Sequence, residues 1–256
     1  MRGENDWVGR LTGDLIVAFG FYTRLPSPHD RANAGEELAR ASWAAPVAGA
    51  VVGAIGALAY ALAHAVGLGP LPAAGLALVA TLVVTGALHE DGLADTADAF
   101  GAGASPETRL AIMRDSRIGT FGACALIFSI GLRWAALASL AGPTRAAGAL
   151  IAAHAAARAM PPLLMLLVAP ARPDGLSAAA GLPPADSVAA TALLGLAALM
   201  LGLGFAKGLI AAALLALCLV AMRWLALNKV GGQTGDVLGA LEQVCEIVVL
   251  LVAARG

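Results

Sequence analysis

Charge is scarce in this chain: Asp, Glu, Lys and Arg make up 13% of its 256 residues, where a soluble domain carries about 25%. Hydrophobic residues reach 59% and mean hydropathy is +0.82, so the shortage of charge excludes a soluble globular domain and reads as an integral membrane protein. Neither sign dominates what charge there is. A net charge of −1 and an isoelectric point near 6.4 give no footing to a nucleic-acid partner. Cysteine is also sparse. Cys124, Cys218 and Cys245 lie far apart in apolar runs, which excludes a CxxC site or a disulfide framework and leaves core packing as their role. The opening MRGENDWVGRLTGD is too polar for a signal peptide, so the first membrane helix is expected to insert the chain. No long internal repeat is visible.

Long apolar runs are what the chain has in abundance. About 20 apolar residues cross a bilayer, and runs near 44–66, 73–89, 118–141, 146–168, 187–205 and 208–227 meet or approach that length, with a last helix opening after 228–235. The expected fold is all-α: a polytopic bundle of about seven transmembrane helices forming one domain over 1–256. The apolar stretch 15–21 is too short to span and should be an interfacial or re-entrant helix ending before Pro26. Gly49, Gly53 and Gly56 give the first span the small-residue spacing that permits close packing.

One segment breaks the apolar pattern. HEDGLADTADAFGAGASPETRLAIMRDSRIG, residues 89–119, holds six of the 17 acidic and three of the 16 basic residues. On a helix Asp91, Asp95 and Asp98 fall at i, i+4 and i+7, within roughly 60° of one another. Three carboxylates on one stripe repel, so local helix stability does not explain them. A hard divalent cation reverses the sign of that interaction, and Mg²⁺ suits carboxylate oxygens. Glu90 is a further candidate ligand beside the three aspartates. Mg²⁺ is usually completed by water and substrate phosphate, which implies a phosphorylated ligand, and Arg114 and Arg117 around Asp115 have the fork that grips phosphoryl oxygens. In a soluble protein such a segment would be a solvated helix face with its charges paired among themselves. Polar groups joining membrane helices mark function instead.

Other polar positions are thinner signals. Arg24 serves equally as a snorkelling anchor or a phosphate ligand. His154 and Arg158 fall near the middle of a span, where a guanidinium needs an anionic partner; Arg158 is a candidate ligand for the substrate's phosphate, and Glu242 with Glu246 at i, i+4 of the last helix could equally pair with Arg158 or Arg223. Arg133, next to Trp134, reads as an interfacial anchor towards the face opposite Arg117. Gly231, Gly232, Gln233, Thr234 and Asp236 open the last helix. They could present N–H groups to an anion, or form a plain turn with a Thr or Asp cap. No Lys-Ser/Thr follows, so this is not a Walker loop. With seven spans and the N-terminus inside, the cytoplasmic segments hold Arg2, Arg10, Arg24, Arg31, Arg40, Arg109, Arg114, Arg117, Arg172 and Lys229, and the other side only Arg145, Lys207 and Arg255. That imbalance obeys the positive-inside rule and puts the acidic segment and the GGQTGD turn on the cytoplasmic face.

LHEDGLADTADAF followed by IMRDSRIGTFG resembles the adenosylcobinamide-GDP ribazoletransferase (cobalamin synthase) family. The likeness extends through FYTRLPSP near 21, AHAAARAMP near 154 and GGQTGDVLGALEQ near 231. It departs at Ala157, where Ser is expected before the Arg, and at Ala99, where Gly is expected. The resemblance implies a Mg²⁺-dependent enzyme of the inner membrane, working at its cytoplasmic face. Adenosylcobinamide-GDP would be the donor, α-ribazole or its 5′-phosphate the acceptor, and GMP the leaving group. Asp91, Asp95 and Asp98 would hold the metal, Arg114 and Arg117 the phosphoryl oxygens, and Asp98 or Asp115 would accept the proton of the attacking hydroxyl. The partners implied are these substrates and the lipid bilayer; a homo-oligomer or a complex with other cobalamin-assembly enzymes stays open. The competing reading is a transporter or cation channel lined by the acids. It is the weaker one, because transporters place such groups near mid-bilayer in repeated halves. A purely structural subunit would leave the aspartate stripe unexplained.

Overall fold

Backbone in lipid must satisfy its own hydrogen bonds, and an apolar chain of this kind does so as helices. The computed structural model describes residues 6–27, 35–103, 105–140 and 142–255; Arg2 and Arg31 of the inner charge count lie outside them. In chain order the helices are α1 (Asp6–Tyr22), α2 (Gly35–Arg40), α3 (Ala45–Ala65), α4 (Pro70–Thr85), α5 (Leu88–Gly101) and α6 (Pro106–Ile112). They continue with α7 (Thr120–Ser139), α8 (Pro143–Leu167), α9 (Leu176–Ala180), α10 (Ala185–Leu203), α11 (Phe205–Val230) and α12 (Gly235–Ala254). A 3-10 turn, Ala41–Ala44, joins α2 to α3. Among the described residues the only extended pairing is a single parallel bridge between Pro170 and Gln233.

Helices α3, α7, α8, α10, α11 and α12 are long and apolar enough to cross a membrane. The seventh expected span, 73–89, is not one helix. α4 ends at Thr85 and α5 sets off at 89° to it, because Gly86 and Ala87 both take left-handed backbone at φ 65° and 54°. Glycine adopts that conformation freely, whereas for Ala87 it costs about 1–2 kcal/mol. Sixteen residues carry α4 about 24 Å, most of the hydrocarbon thickness. Trp134 Nε1 donates to Leu71 O at 2.7 Å at one end of the bundle, and Gly101 abuts Phe121 at the other, so α4 and α5 together carry the chain from end to end.

The N-terminal helix is longer than the apolar stretch 15–21 announced. α1 leaves Trp7, Val8, Leu11 and Ile16 exposed while burying Val17, Ala18 and Tyr22, the arrangement of a helix lying at an apolar–polar boundary. Asp14 fastens it to the end of α2 and the 3-10 turn, accepting from Arg40 Nε at 2.8 Å and Trp43 Nε1 at 2.9 Å. The expected loop 169–186 also contains a short helix, α9.

α8 is the central post, packed against α3, α10 and α12. Its run of alanines, from Ala152 to Ala159 around His154 and Arg158, is almost wholly buried, and small residues on its neighbours let backbones touch. A Cβ on Gly53 of α3 would lie 2.5 Å from Leu150 O and 2.7 Å from Ile151 Cα. Gly53→Leu should therefore force α3 off α8. Overpacking of this sort costs about 1–3 kcal/mol or more, and the thermal midpoint of the detergent-solubilised protein should fall by roughly 5–10 °C. Gly13→Ala, on α1 with nothing within 4 Å of the added carbon, should leave the midpoint level or slightly raised. Equal effects of the two substitutions would show that the α3–α8 contact is not tight.

Candidate active site

α5 delivers the polar residues, and three glycines decide where it sits. Gly92 meets α12 where a Cβ would lie 2.9 Å from Asp236 O, and Gly239 of α12 faces His89 as closely as a Cβ allows. At its other end α5 meets the start of α7. Asp98 accepts from the backbone N–H of Gly119 at 2.7 Å and of Gly122 at 2.8 Å. A Cβ on Gly122 would lie 2.9 Å from Ala94 O. Asp98 thus caps the positive end of α7.

The stripe forms as the spacing requires, with Asp91 exposed and Asp95 and Asp98 partly buried along one face of α5. α12 adds a fourth acid, Asp236, so that Asp95 feels the negative charges of Asp91, Asp236 and Asp98 together. The carboxylates do not form a closed cage. Among the described residues the one set of three His, Cys, Asp or Glu side chains with ligand atoms all within 4.8 Å is His154, Glu242 and Glu246. An open array of hard oxygen donors still suits Mg²⁺, which usually takes one or two protein carboxylates and completes its shell with water and phosphate. It does not suit a site closed by protein alone.

Glu90 does not join the stripe. One residue from Asp91, it points about 100° away around α5 and is 7% exposed, with Oε1 accepting from Arg133 Nη1 at 3.0 Å. The same Arg133 Nη1 donates to Glu246 Oε1 at 2.8 Å. Glu246 Oε2 meets His154 Nδ1 at 2.9 Å, and Glu242 Oε1 meets Arg158 Nη1 at 2.9 Å. His89 Nδ1 stands 3.4 Å from Glu242 Oε2. These side chains form one buried network joining α5, α7, α8 and α12. With neutral imidazoles it carries three carboxylates and two guanidiniums, so one protonated histidine brings it to zero. Two arginines already stand where a cation would bring its charge, so His154, Glu242 and Glu246 belong to an ion-pair network.

Three expectations change here. Arg133 is no interfacial anchor: it is 1% exposed, and only its neighbour Trp134, 100° round the helix, reaches the surface. Glu90 faces the network and not the aspartates. Arg158, also 1% exposed, serves Glu242 instead of a phosphate. The pairing of Glu242 with Arg158 holds, Glu246 pairs with Arg133 and His154 instead, and Arg223 is exposed and takes no part.

Arg114, Arg117 and Arg172 stand at the end of the bundle where α5, α7 and α12 meet. Arg117 hydrogen-bonds Asp115 and holds its carboxyl down at about 2, which makes Asp115 a poor proton acceptor at neutral pH. Arg114 pairs with Asp174, and Arg172 Nη2 lies 3.8 Å from Asp236. Arg24 is exposed, with its side chain against Gly86 at the α4–α5 break. The GGQTG turn caps α12 and docks on the segment before α9. Gln233 N–H donates to Ala169 O at 2.9 Å and Gln233 O accepts from Ala171 N at 2.8 Å, which spends those groups on the 169–171 segment. Gly232 permits this, since a Cβ there would lie 2.6 Å from Ala169 O. Gly231 turns the chain at φ 78°, and Thr234 Oγ1 caps α12 by accepting from Val237 N at 3.2 Å.

Beside the acids opens a cavity of about 230 Å³, bounded by α1, α2, α5, α8, α9 and α12. Phe21, Tyr22, Pro161, Pro162 and Met165 give it apolar walls, and Asp91 and Asp236 line it as well. Sequence reasoning did not find it. Its walls come from six separate helices, and only their packing brings the residues together.

The model of the cobalamin-5-phosphate synthase family matches residues 14–254. An adenosylcobinamide-GDP ribazoletransferase of Bradyrhizobium diazoefficiens is 54% identical over 247 residues, covering 96% of this chain and 95% of the relative. Its namesake in Mesorhizobium japonicum is 52% identical, with 96% and 94% covered, and that of Ralstonia nicotianae 43% identical, with 93% of each covered. No solved structure matches.

The buried network supplies a test of its own. Arg133→Met removes the cation that two glutamates share, and an uncompensated buried charge costs about 3–5 kcal/mol. The variant should reach the membrane poorly, or show a thermal midpoint in detergent lower by about 10 °C. Arg223→Met, on the exposed face of α11, should behave as the parent. A stable Arg133→Met protein would mean that the network contributes little.

Proposed function

The chain belongs to the cobalamin-5-phosphate synthase family, and from that premise we propose that it is an adenosylcobinamide-GDP ribazoletransferase acting at the cytoplasmic face of the inner membrane. In the proposed reaction a ribose hydroxyl oxygen of α-ribazole, or of its 5′-phosphate, bonds to the phosphorus that carries the cobinamide. The bond from that phosphorus to the bridging oxygen breaks, GMP leaves with the electron pair, and the hydroxyl proton passes to a base. The observation that carries this reading is the meeting of Asp91, Asp95 and Asp236 with Arg172 and the exposed Arg114 and Arg117 at one end of the bundle. It supports an enzyme over the transporter or channel weighed from the sequence.

Chemistry of this kind depends on positioning and charge neutralisation more than on covalent participation. Mg²⁺, held by Asp91 and Asp95 with the substrate's own oxygens, would neutralise charge on the pyrophosphate. Arg114 and Arg117 are proposed to exchange their surface carboxylate partners for phosphoryl oxygens and to stabilise the departing GMP. Asp98 keeps its place as the α7 cap and orients the stripe. With Asp115 tied to Arg117, the proton acceptor is proposed to be Asp236, which lines the cavity beside Asp91 and is left free of the metal.

Asp91→Asn keeps the shape of an exposed side chain and removes its charge. GMP release from adenosylcobinamide-GDP and α-ribazole, assayed in lipid, should fall at least about a hundredfold, equivalent to roughly 2.7 kcal/mol, with an unchanged thermal midpoint. The parent should lose its activity to EDTA and regain it with Mg²⁺. Full turnover of the variant at ordinary Mg²⁺ would remove Asp91 from the metal site.

Orientation is tested separately. A reporter inserted within 101–108 should read cytoplasmic and one at the C-terminus should read external, since seven crossings separate an inner N-terminus from the end of α12. A cytoplasmic C-terminus would mean that α4 and α5 do not complete a crossing.

A further inference from the structure

The segment that carries Arg114 and Arg117 begins with α6, and α6 has little apolar hold on the molecule. None of its seven residues is buried, although Leu110 and Ile112 lean on the core. A short helix with so few buried contacts keeps its place only if polar ties fix it. Two cations that the proposed reaction does not use, Arg109 of α6 and Lys229 near the end of α11, supply such ties. Arg109 Nε and Nη2 donate to Ala102 O at 3.4 and 3.3 Å, and its Nη1 donates to Lys229 O at 3.1 Å. Lys229 Nζ in turn donates to Phe100 O at 3.2 Å.

These acceptors are of one kind. Phe100 lies in the last turn of α5 and Lys229 in that of α11, where carbonyls lack a partner within their own helix and the dipole end is negative. Ala102 O belongs to the residue that ends α5. Both cations are half-buried, and among the described residues neither has a carboxylate within ion-pair reach. An arginine reserved for phosphate would keep its fork open. Arg109 has Nε and both Nη atoms engaged on backbone carbonyls of two different segments, a reach that the planar guanidinium has and an ammonium lacks.

We propose that Arg109 and Lys229 form a clamp of positioning residues, which sets where Arg114 and Arg117 stand relative to the carboxylates. The assignment rests on the ribazoletransferase reading. The clamp joins three segments: the end of α5, the helix of Asp91 and Asp95; α6, from which the chain runs on to Arg114 and Arg117; and the end of α11, which leads through Gly231 to Asp236. Beyond the arginines, Asp98 of the same α5 accepts from the N–H groups of Gly119 and Gly122 at 2.7 and 2.8 Å. Residues 102–119 are thus tied to α5 at both ends, with the two arginines between the ties. Their surface pairs with Asp174 and Asp115 can open without releasing the segment, because the clamp uses neither carboxylate. A misplacement of about 1 Å can cost on the order of a hundredfold in rate, so the clamp acts on turnover without touching substrate.

The test measures GMP release by the full-length protein in nanodiscs, with each substrate varied at saturating levels of the other, alongside the thermal midpoint. Arg109→Met should lower kcat about tenfold while KM for α-ribazole stays within about twofold. Its midpoint should stay within about 2 °C, because α6 buries no residue. Lys229→Met should lose about fivefold, and Lys229→Arg, which still reaches Phe100 O, should recover most of that loss. The deciding arm is a mutant cycle. On an Arg114→Met/Arg117→Met background, Arg109→Met should cost less than about twofold more, since the groups it positions are already gone. A loss that multiplies in full on that background would mark a general structural tie and overturn the clamp, as would parental kcat in both Arg109→Met and Lys229→Met. Should Arg109→Met fail to reach the membrane, Arg109→Lys, which keeps the charge and loses the fork, carries the same cycle with the same two outcomes. No GMP release by the parent with both substrates present would overturn the ribazoletransferase reading and the clamp's role with it, whereas an active parent with additive variants would overturn the clamp alone.

Discussion

Three glutamates and two arginines buried together are the constraint on which the rest of this molecule depends. Burying an ion costs several kcal/mol, and only close, well-aligned partners return it. Arg133 can satisfy Glu90 and Glu246 together, at 3.0 and 2.8 Å, only if α5, α7 and α12 hold one relative position. Arg158, at 2.9 Å from Glu242, adds α8 to the set. Apolar contacts among Ala, Leu and Val tolerate a helix slid by a fraction of a turn, particularly in lipid, where no hydrophobic force favours helix over lipid contact. An ion network does not. It fixes the register in which the acidic stripe faces Asp236.

The break between α4 and α5 follows from the same constraint. Had α4 run on as one helix, Glu90 and the aspartates would have followed its axis out of the bundle. Left-handed backbone at Gly86 and Ala87 turns the chain by 89° and lays α5 across α12 and the start of α7. Glycine at 86 takes that conformation at no steric cost, and Ala87 carries the strain. Broken helices at membrane depth persist where protein covers the freed backbone groups. Here Arg24 N–H donates to Val84 O at 2.6 Å, and α1 brings Tyr22 up against His89. The N-terminal helix is thus part of the site's wall as well as an interfacial element.

Most of this was legible in the sequence, and what was not has identifiable causes. Composition and run length gave the six clear spans to within a few residues, because hydropathy acts on whole segments. The i, i+4, i+7 spacing gave the aspartate face, because helix geometry is local. The direction of a single side chain was not available. Arg133 beside Trp134 looked like an interfacial pair, yet a helix turns 100° between them and only one can face lipid. Glu90 beside Asp91 was misassigned for the same reason. The Gly86–Ala87 break was hidden because alanine is the strongest of helix formers. The docking of the GGQTG turn was equally hidden, because its partners at 169–171 lie some sixty positions away in the chain.

The site's two kinds of charge also divide by burial, and the division bears on how it works. Pairs inside the bundle, Arg133 with Glu246 and Arg158 with Glu242, are 1% exposed or less, so parting them would strand a charge in a poor solvent. Pairs at the end of the bundle where α5, α7 and α12 meet are different. The side chains of Arg117 and Asp115 are 86% and 38% exposed, those of Arg114 and Asp174 54% and 63%, and surface pairs of this kind are worth only about 0–1 kcal/mol. Water can take either partner at little cost. In the proposed reaction, arginines held this loosely would leave a carboxylate for a doubly charged phosphoryl group and return when GMP departs, while the deep pairs keep the helices in place. A substrate with two phosphates and a leaving nucleotide would need ligands that can be gained and lost within one turnover, and surface pairs have that property where the buried ones do not.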